Sequence, residues 1–314
     1  MTPVMKTLIT GAAGFLGSAL ANQLIREGHE VVGIDDLSTG NEEVLDPDVL
    51  FTRGDVMDRP KLWTLLQDVD CVFHLAARVS VQESILYPRE YNNTNVGGTV
   101  SVMEAMRDVG VRRVVFTSSG AVYGEQQEQP LREDVAPSPD SPYAVSKLSG
   151  EYYVKTIGRL WGIETVTLRI FNAYGPGQHL PPSHPPVIPN YLKQAVQEGT
   201  IVIHNSGKQT RDYVYVDDVV RALVSAASTP GVDGQIINIG SGREVSVKEL
   251  AELVLALTDD KAELIHNPKN DGGVRRMKAD LSRARDILDY HPRVDLEHGL
   301  RMTLERDPRF HPGD

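Results

Sequence analysis

The chain has 314 residues, enough to bury a sizeable core in one large domain or two modest ones. Its 32 basic and 43 acidic residues leave a formal charge of −11, and no basic run carries interleaved aromatics, which argues against nucleic acid as a partner. The apolar start is interrupted by Gly11, Gly14 and Gly17 and no 18-residue apolar span follows, so neither a signal peptide nor a membrane-spanning helix is expected.

Residues 4–10 read as a short apolar strand. Gly11-Ala-Ala-Gly14-Phe15-Leu16-Gly17 follows directly and leads into a helical pattern over 18–27, and a second strand over 30–34 closes a βαβ unit. In that context Gly11 permits a tight turn, Gly14 lets a pyrophosphate approach the backbone, and Gly17 lets the helix pack on the sheet. The helix N-terminus, with Phe15 and Leu16, then faces the phosphates. Asp35 ends the second strand, where a carboxylate accepts both hydroxyls of an adenosine ribose and repels a 2′-phosphate, so NAD is favoured over NADP. Asp36 can share that role. Downstream, Asp55 is placed to meet the adenine amino group and Val56 to pack on its ring, with a plain turn carboxylate as the alternative for Asp55.

A buried strand over 72–75 follows the single cysteine, Cys71, which reads as a small core residue of a cytoplasmic protein. The strand ends in Leu75, Ala76 and Ala77, small enough to let a nicotinamide or its ribose lie close. Residues 91–107 have helical periodicity. Asn95 disfavours that helix slightly, which suggests a buried hydrogen bond to the next loop. Another strand over 111–119 ends in Thr117-Ser118-Ser119, where a parallel sheet places its binding loops. Ser119 can hydrogen-bond a reacting hydroxyl and relay its proton, although hydroxyls after a strand also form turns.

Ser141 is a good N-cap and Pro142 suits the first helical position, so a helix should start here with Tyr143 and Lys147 at i and i+4 on one face. A free tyrosine has a pKa of roughly 10. A nearby ammonium, helped by an oxidised nicotinamide ring, would stabilise its phenolate and let it act as a base.

Beyond Asn172, Pro176, Pro181, Pro182, Pro185, Pro186 and Pro189 exclude regular helix or central strand, and the segment reads as a crossing into a second lobe. His179 and His184 lie there without companions at metal-ligand spacing, so no metal is expected. A helix over 191–198 and a strand over 201–204 follow. Arg211, before a strand over 213–216, offers a planar fork to a diphosphate or pairs on the surface with Asp212 or Asp217. A helix over 217–227 and a strand over 235–239 are expected to return to the first domain, and 247–257 reads as a helix.

GAAGFLG at 11–17, HLAA at 74–77, NVGGT at 95–99, TSSGAVYG at 117–124 and YAVSK at 143–147 resemble the extended short-chain dehydrogenase/reductases. With LRIFNAYGPG at 168–177, QTRDYVYVDDVV at 209–220 and NIGSG at 238–242, the sequence is most similar to nucleotide-sugar epimerases of the UDP-glucose 4-epimerase type. The resemblance implies an α/β chain, with a Rossmann-type doubly wound parallel sheet over 1–172 that holds NAD. It also implies a smaller, discontinuous lobe over 173–314 that holds the nucleotide sugar. It casts Ser119, Tyr143 and Lys147 as the catalytic triad, with Lys147 also on the nicotinamide ribose and Thr117 beside the cofactor. It places Asn172 and Arg211 on the diphosphate, and Val187 and Ile188 near the nucleobase.

Sugar 4,6-dehydratases of the family carry an Asp-Glu pair where Gly120 and Ala121 stand, and the related decarboxylases a Glu at Ala121, so dehydration and decarboxylation both lose a needed group. A family arginine that grips the diphosphate also falls at Asn270, before Asp271-Gly-Gly273, and Arg275 is the candidate to replace it. The expected activity is 4-epimerisation of a UDP-hexose, UDP-glucose to UDP-galactose, with bound NAD. A ketoreductase with net redox change, or a non-catalytic NAD sensor, is the alternative. Relatives often dimerise through helices corresponding to 91–107 and 143–159, which implies a homodimer.

Overall fold

The computed structural model describes residues 4–258, 262–268 and 273–311. Asn270, Asp271 and Gly272, where the resemblance places the family arginine, lie outside the described residues. The first half alternates strands and helices. They are β1 (Lys6–Thr10), α1 (Phe15–Arg26), β2 (Glu30–Asp35), β3 (Leu50–Arg53), α2 (Arg59–Leu65), β4 (Cys71–His74), α3 (Val81–Leu86), α4 (Pro88–Tyr91), α5 (Gly98–Val109), β5 (Arg113–Ser119) and α6 (Pro142–Trp161). The second half has β6 (Glu164–Ile170), β7 (Asn172–Tyr174), α7 (Val187–Lys193), β8 (Thr200–His204), β9 (Thr210–Arg211), β10 (Tyr213–Tyr215), α8 (Val216–Ser228), β11 (Gln235–Ile239), β12 (Val245–Ser246), α9 (Val247–Leu257), β13 (Glu263–Asn267), α10 (Ser282–Leu288) and α11 (Leu296–Arg306).

Seven strands form one parallel sheet in the order β3-β2-β1-β4-β5-β6-β11. Helices cover both faces, so β4 and β5 are buried continuously rather than at alternate residues. One face packs on α1 and α8, the other on α2, α5 and α6. The winding reverses between β1 and β4, which opens a crevice at the carboxyl ends of these strands, where doubly wound sheets bind ligands. β11 reaches the sheet edge beside β6 after the chain has already left through β7. Outside the main sheet lie the pairs β7–β10, β8–β13 and β9–β12.

The helix expected over 91–107 forms, α4 running into α5 through a widened turn over Asn92–Gly97. The proline-rich crossing ends earlier than expected, because α7 begins at Val187 and contains Pro189. Pro189 is the third helical residue, whose N–H would have no intrahelical acceptor, so the first turn loses nothing by its absence.

Candidate functional site

A cavity of about 1870 Å³ runs from the carboxyl ends of β1, β2 and β4, past β5 and α6, to β7, α7 and Arg211. Gly11 sits at φ +71°, a backbone conformation that favours glycine, and a Cβ there would lie 2.8 Å from the Ala76 nitrogen. The turn after β1 therefore touches the turn after β4. A Cβ on Gly17 would stand 1.9 Å from the Gly11 carbonyl oxygen, which is why helix and turn can pack so closely. Gly14 differs: it lines the cavity, caps α1 with no side chain, and a Cβ would meet nothing nearer than the Gly11 oxygen at 3.3 Å. The turn thus leaves open space where a phosphate needs to reach helix N–H groups.

Asp35 accepts hydrogen bonds from the Ala13 N–H (3.0 Å) and the Leu37 N–H (2.8 Å), one on each carboxylate oxygen. Burial raises its pKa against these two bonds. Each oxygen retains a lone pair, so the carboxylate can accept two ribose hydroxyls. These features fit a dinucleotide. Asp36 is exposed and lines the same cavity, with Phe15, Leu16, Val56, Leu75, Ala76, Ala77 and Thr117. Asp55 also lines it, while one oxygen accepts the Met57 N–H at 2.8 Å, so turn and cavity roles coincide. Asn95 is buried as expected, but it holds the loop before it rather than the next one. Its amide accepts the Arg78 N–H at 2.8 Å and donates to the Arg78 carbonyl and the Ser146 hydroxyl.

Ser141 caps α6 by accepting the Ala144 N–H, and Pro142 occupies the first position. Tyr143 and Lys147 both line the cavity with Ser119, as the i, i+4 spacing on one helix requires. Burial raises the Tyr143 pKa, and the group that opposes this is the Ser119 hydroxyl. Lys147 is only 4% exposed, and its ammonium lies 4.7 Å over the centre of the Phe116 ring. Burial brings its pKa down to about 8, opposed by Glu151 one turn further along α6. Ser119 also accepts the Ala121 N–H at 3.1 Å, which fixes the hydroxyl at the mouth of β5. Gly120 packs against Phe171, where a Cβ would already come within 3.3 Å of the ring.

On the far side, Asn172, Val187, Ile188 and Arg211 converge on the cavity wall. The surface-pair alternative for Arg211 does not occur. Asp212 turns inward to accept from the Ser241 N–H and hydroxyl, the Gly242 N–H and the Ala279 N–H, and Asp217 pairs with Arg306. Among the described residues Arg211 has no ion pair; its guanidinium donates to the Thr210 carbonyl, and burial lowers its pKa. Such a desolvated cation favours an anion in the cavity. Arg275 is not on this wall: its side chain is 85% exposed and pairs with Glu125. No cluster of metal ligands exists among the described residues, and none of their helices is long and apolar enough to cross a membrane.

Several residues of the site were not expected from the sequence. Tyr191 and Tyr213 line the cavity, as do Arg306, Asp307 and Arg309 at the end of α11. Asp307 accepts the Gly177 N–H at 2.9 Å and pairs with Arg309, tying this end to the proline-rich wall. An Asp-Pro pair signals a local cap, which it is, but not a partner 130 residues away.

The family model described as NAD dependent epimerase/dehydratase family matches residues 7–240. A UDP-glucose 4-epimerase of Mycolicibacterium smegmatis is 39% identical over 308 residues, which cover 96% of this chain and 98% of the relative. The crystal structure of UDP-glucose 4-epimerase with UDP-glucose from Thermotoga maritima superposes with a TM-score of 0.92 at 35% identity, covering 96% of this chain and 98% of that one. A UDP-N-acetylglucosamine 4-epimerase from Methanobrevibacter ruminantium M1, in complex with UDP-N-acetylmuramic acid, superposes equally at 0.92 with 31% identity, covering 97% of this chain and 98% of that one. With the glycine turn, the Asp35 carboxylate and the Ser119, Tyr143 and Lys147 group on one cavity, the chain belongs to the NAD dependent epimerase/dehydratase family.

Proposed function

We propose that this chain epimerises a UDP-hexose at C4, interconverting UDP-glucose and UDP-galactose. The observation that carries the reading is the meeting of Ser119 and Tyr143 on one cavity with the glycine turn and Arg211, and with no carboxylate at Gly120 or Ala121. NAD, when bound, supplies the chemistry of accepting a hydride from a carbinol carbon and returning it. Tyr143 takes the 4-hydroxyl proton, directly or through Ser119, and gives it back when the alcohol is re-formed. Lys147, protonated below about pH 8, is the cation one helical turn beyond the phenol on the same cavity and the residue to hold the nicotinamide ribose. Gly11, Gly14 and Gly17 leave room for the pyrophosphate, and Asp35 receives the adenosine ribose.

Arg211 and Asn172 hold the substrate diphosphate, and Val187 and Ile188 border the base. Because the 4-keto sugar must turn within the pocket without escaping, binding energy belongs on the nucleotide and little on the hexose. A homodimer through α5 and α6 is part of the same proposal; Val145, Tyr152 and Tyr153 are exposed along α6.

The test is incubation of purified protein with UDP-glucose and no added NAD, followed by separation of the UDP-sugars. UDP-galactose is expected, approached equally from either side. Absence of turnover on UDP-, dTDP-, GDP- and CDP-hexoses would remove the assignment. Stoichiometric formation of NADH from added NAD with UDP-glucose, or its consumption with a 4-keto sugar, would replace it with a ketoreductase.

A further inference from the structure

His74 is 1% exposed at the end of β4, and both of its ring nitrogens are engaged. Nδ1 lies 2.7 Å from the Thr10 hydroxyl and Nε2 lies 2.9 Å from the Thr99 hydroxyl. The Thr99 hydroxyl donates to the Asn95 carbonyl at 2.6 Å, so its one proton is committed and it must accept from the imidazole. The Thr10 hydroxyl accepts the Ala76 N–H at 3.2 Å. Only the Nε2–H tautomer satisfies every member: Ala76 N–H to Thr10 oxygen, Thr10 O–H to Nδ1, Nε2–H to Thr99 oxygen, and Thr99 O–H to the Asn95 carbonyl. The opposite tautomer would leave the Thr10 proton without an acceptor at a fully buried site, which is unfavourable.

The chain of bonds closes on a single loop. Ala76 is held at one end through Thr10, and Arg78 at the other through the Asn95 side chain. Leu75, Ala76, Ala77 and Arg78 all line the cavity, and Ala76 abuts Gly11. We propose that His74 is a positioning residue, fixed as the Nε2–H tautomer, which through Thr10 sets the Ala76 backbone at the edge of the cleft that receives the nicotinamide end of the cofactor. The role rests on the NAD-dependent reading above; the tautomer does not. Burial and the Lys147 charge push the His74 pKa down to about 3, so the ring stays neutral and the donor order is permanent at working pH. The ring also stacks on Phe116, 5.7 Å between centroids, which resists rotation.

Nitrogen-15 NMR of histidine-labelled, cofactor-free protein tests the first half. One neutral ring, assigned to His74 by its loss in His74→Gln, protonated at Nε2 and unchanged between about pH 5 and 9 is expected; a His74 ring protonated at Nδ1, or one that titrates in this range, overturns the proposal. Titration of NAD into cofactor-free protein tests the second half. Thr10→Val should weaken binding about tenfold, the worth of one buried hydrogen bond, whereas Thr10→Ser should bind as the parent does. Equal affinity of Thr10→Val and parent, or equal loss in both variants, overturns the positioning role. A parent protein that binds no NAD overturns the proposed function instead, and leaves the NMR result to decide the tautomer.

Discussion

Glu151 stands one helical turn beyond Lys147 on α6 and is gripped by Arg169 of β6 through two bonds, 2.9 Å from Nε and 2.7 Å from Nη2. The Ser118 hydroxyl donates to the same carboxylate at 2.5 Å. Both charged side chains are 3% exposed, so their attraction must offset a large desolvation cost. Removing one partner leaves the other buried without compensation. Arg169→Met or Glu151→Gln should cost about 3–5 kcal/mol of stability, read as a fall in the urea midpoint. Replacing both by apolar residues should cost less than either alone. Additive losses in the double variant would mean the pair is not coupled.

The same carboxylate also bears on Lys147. Burial brings the lysine to about 8 from its usual 10.5, so between those values the unfolded chain holds a proton that the folded chain has released. Stability must therefore rise with pH across this window, because the unfolded state binds more protons. The cost of burying the ammonium is fully present below about pH 8 and is relieved as the group discharges. Melting of cofactor-free protein from pH 8 to 10 should show this slope, and Lys147→Met should lack it. An identical slope in the variant would assign it to other groups.

Tyr143→Phe removes the acid–base hydroxyl and little else, since the ring keeps its edge contact with Tyr91. A drop in kcat of about 10²–10⁴-fold with retained NAD is expected. Ser119→Ala should lose less but move the profile. The Ser119 hydroxyl is what lowers the Tyr143 pKa, so without it the phenol ionises later and the ascending limb shifts to higher pH. An unshifted limb with reduced kcat would leave Ser119 a proton relay without influence on the phenol.

Local signals carried most of what the sequence could reveal here. Gly11, Gly14 and Gly17 are legible because a turn that admits phosphate permits almost no other residue type, and Ser141-Pro142 is legible because caps are made within four residues. The strand β11 follows from its apolar run. What escaped depends on distance: the Lys147 ammonium rests over Phe116, and Asp212 found backbone donors 29 and 67 residues away instead of its neighbour Arg211. Nothing in the order of residues states which way such a side chain turns. The helix α7 was hidden for another reason: a proline in its first turn looks, in sequence, like one that forbids a helix.

Gly14 and Gly17 differ in what a methyl group would meet. On Gly17 it would collide with backbone at 1.9 Å, so Gly17→Ala should expel α1 from its packing and destabilise the fold itself. On Gly14, at φ −79° and ψ 176°, alanine is conformationally acceptable and the nearest atom is 3.3 Å away. Gly14→Ala should therefore fold normally and lose NAD, because the methyl takes phosphate space. Calorimetry and cofactor titration separate the two cases, and equal melting temperatures for the two variants would contradict this division.

Arg211 and Arg275 provide the sharpest comparison on the substrate side. Arg211 lies half-buried on the cavity wall with no carboxylate partner among the described residues, a state that an incoming diphosphate would relieve. Charged hydrogen bonds of this kind contribute about 1.5–3 kcal/mol, so Arg211→Ala should raise the dissociation constant for UDP alone by about 10- to 100-fold. Arg211→Lys should recover part of the loss, since a point charge cannot reproduce the planar fork. Arg275 already has Glu125 and faces solvent, so Arg275→Ala should leave UDP binding unchanged. If UDP binds Arg275→Ala as weakly as Arg211→Ala, the diphosphate lies nearer the exposed Arg275 than this wall allows, and the substrate pocket must close further over its ligand than it does here.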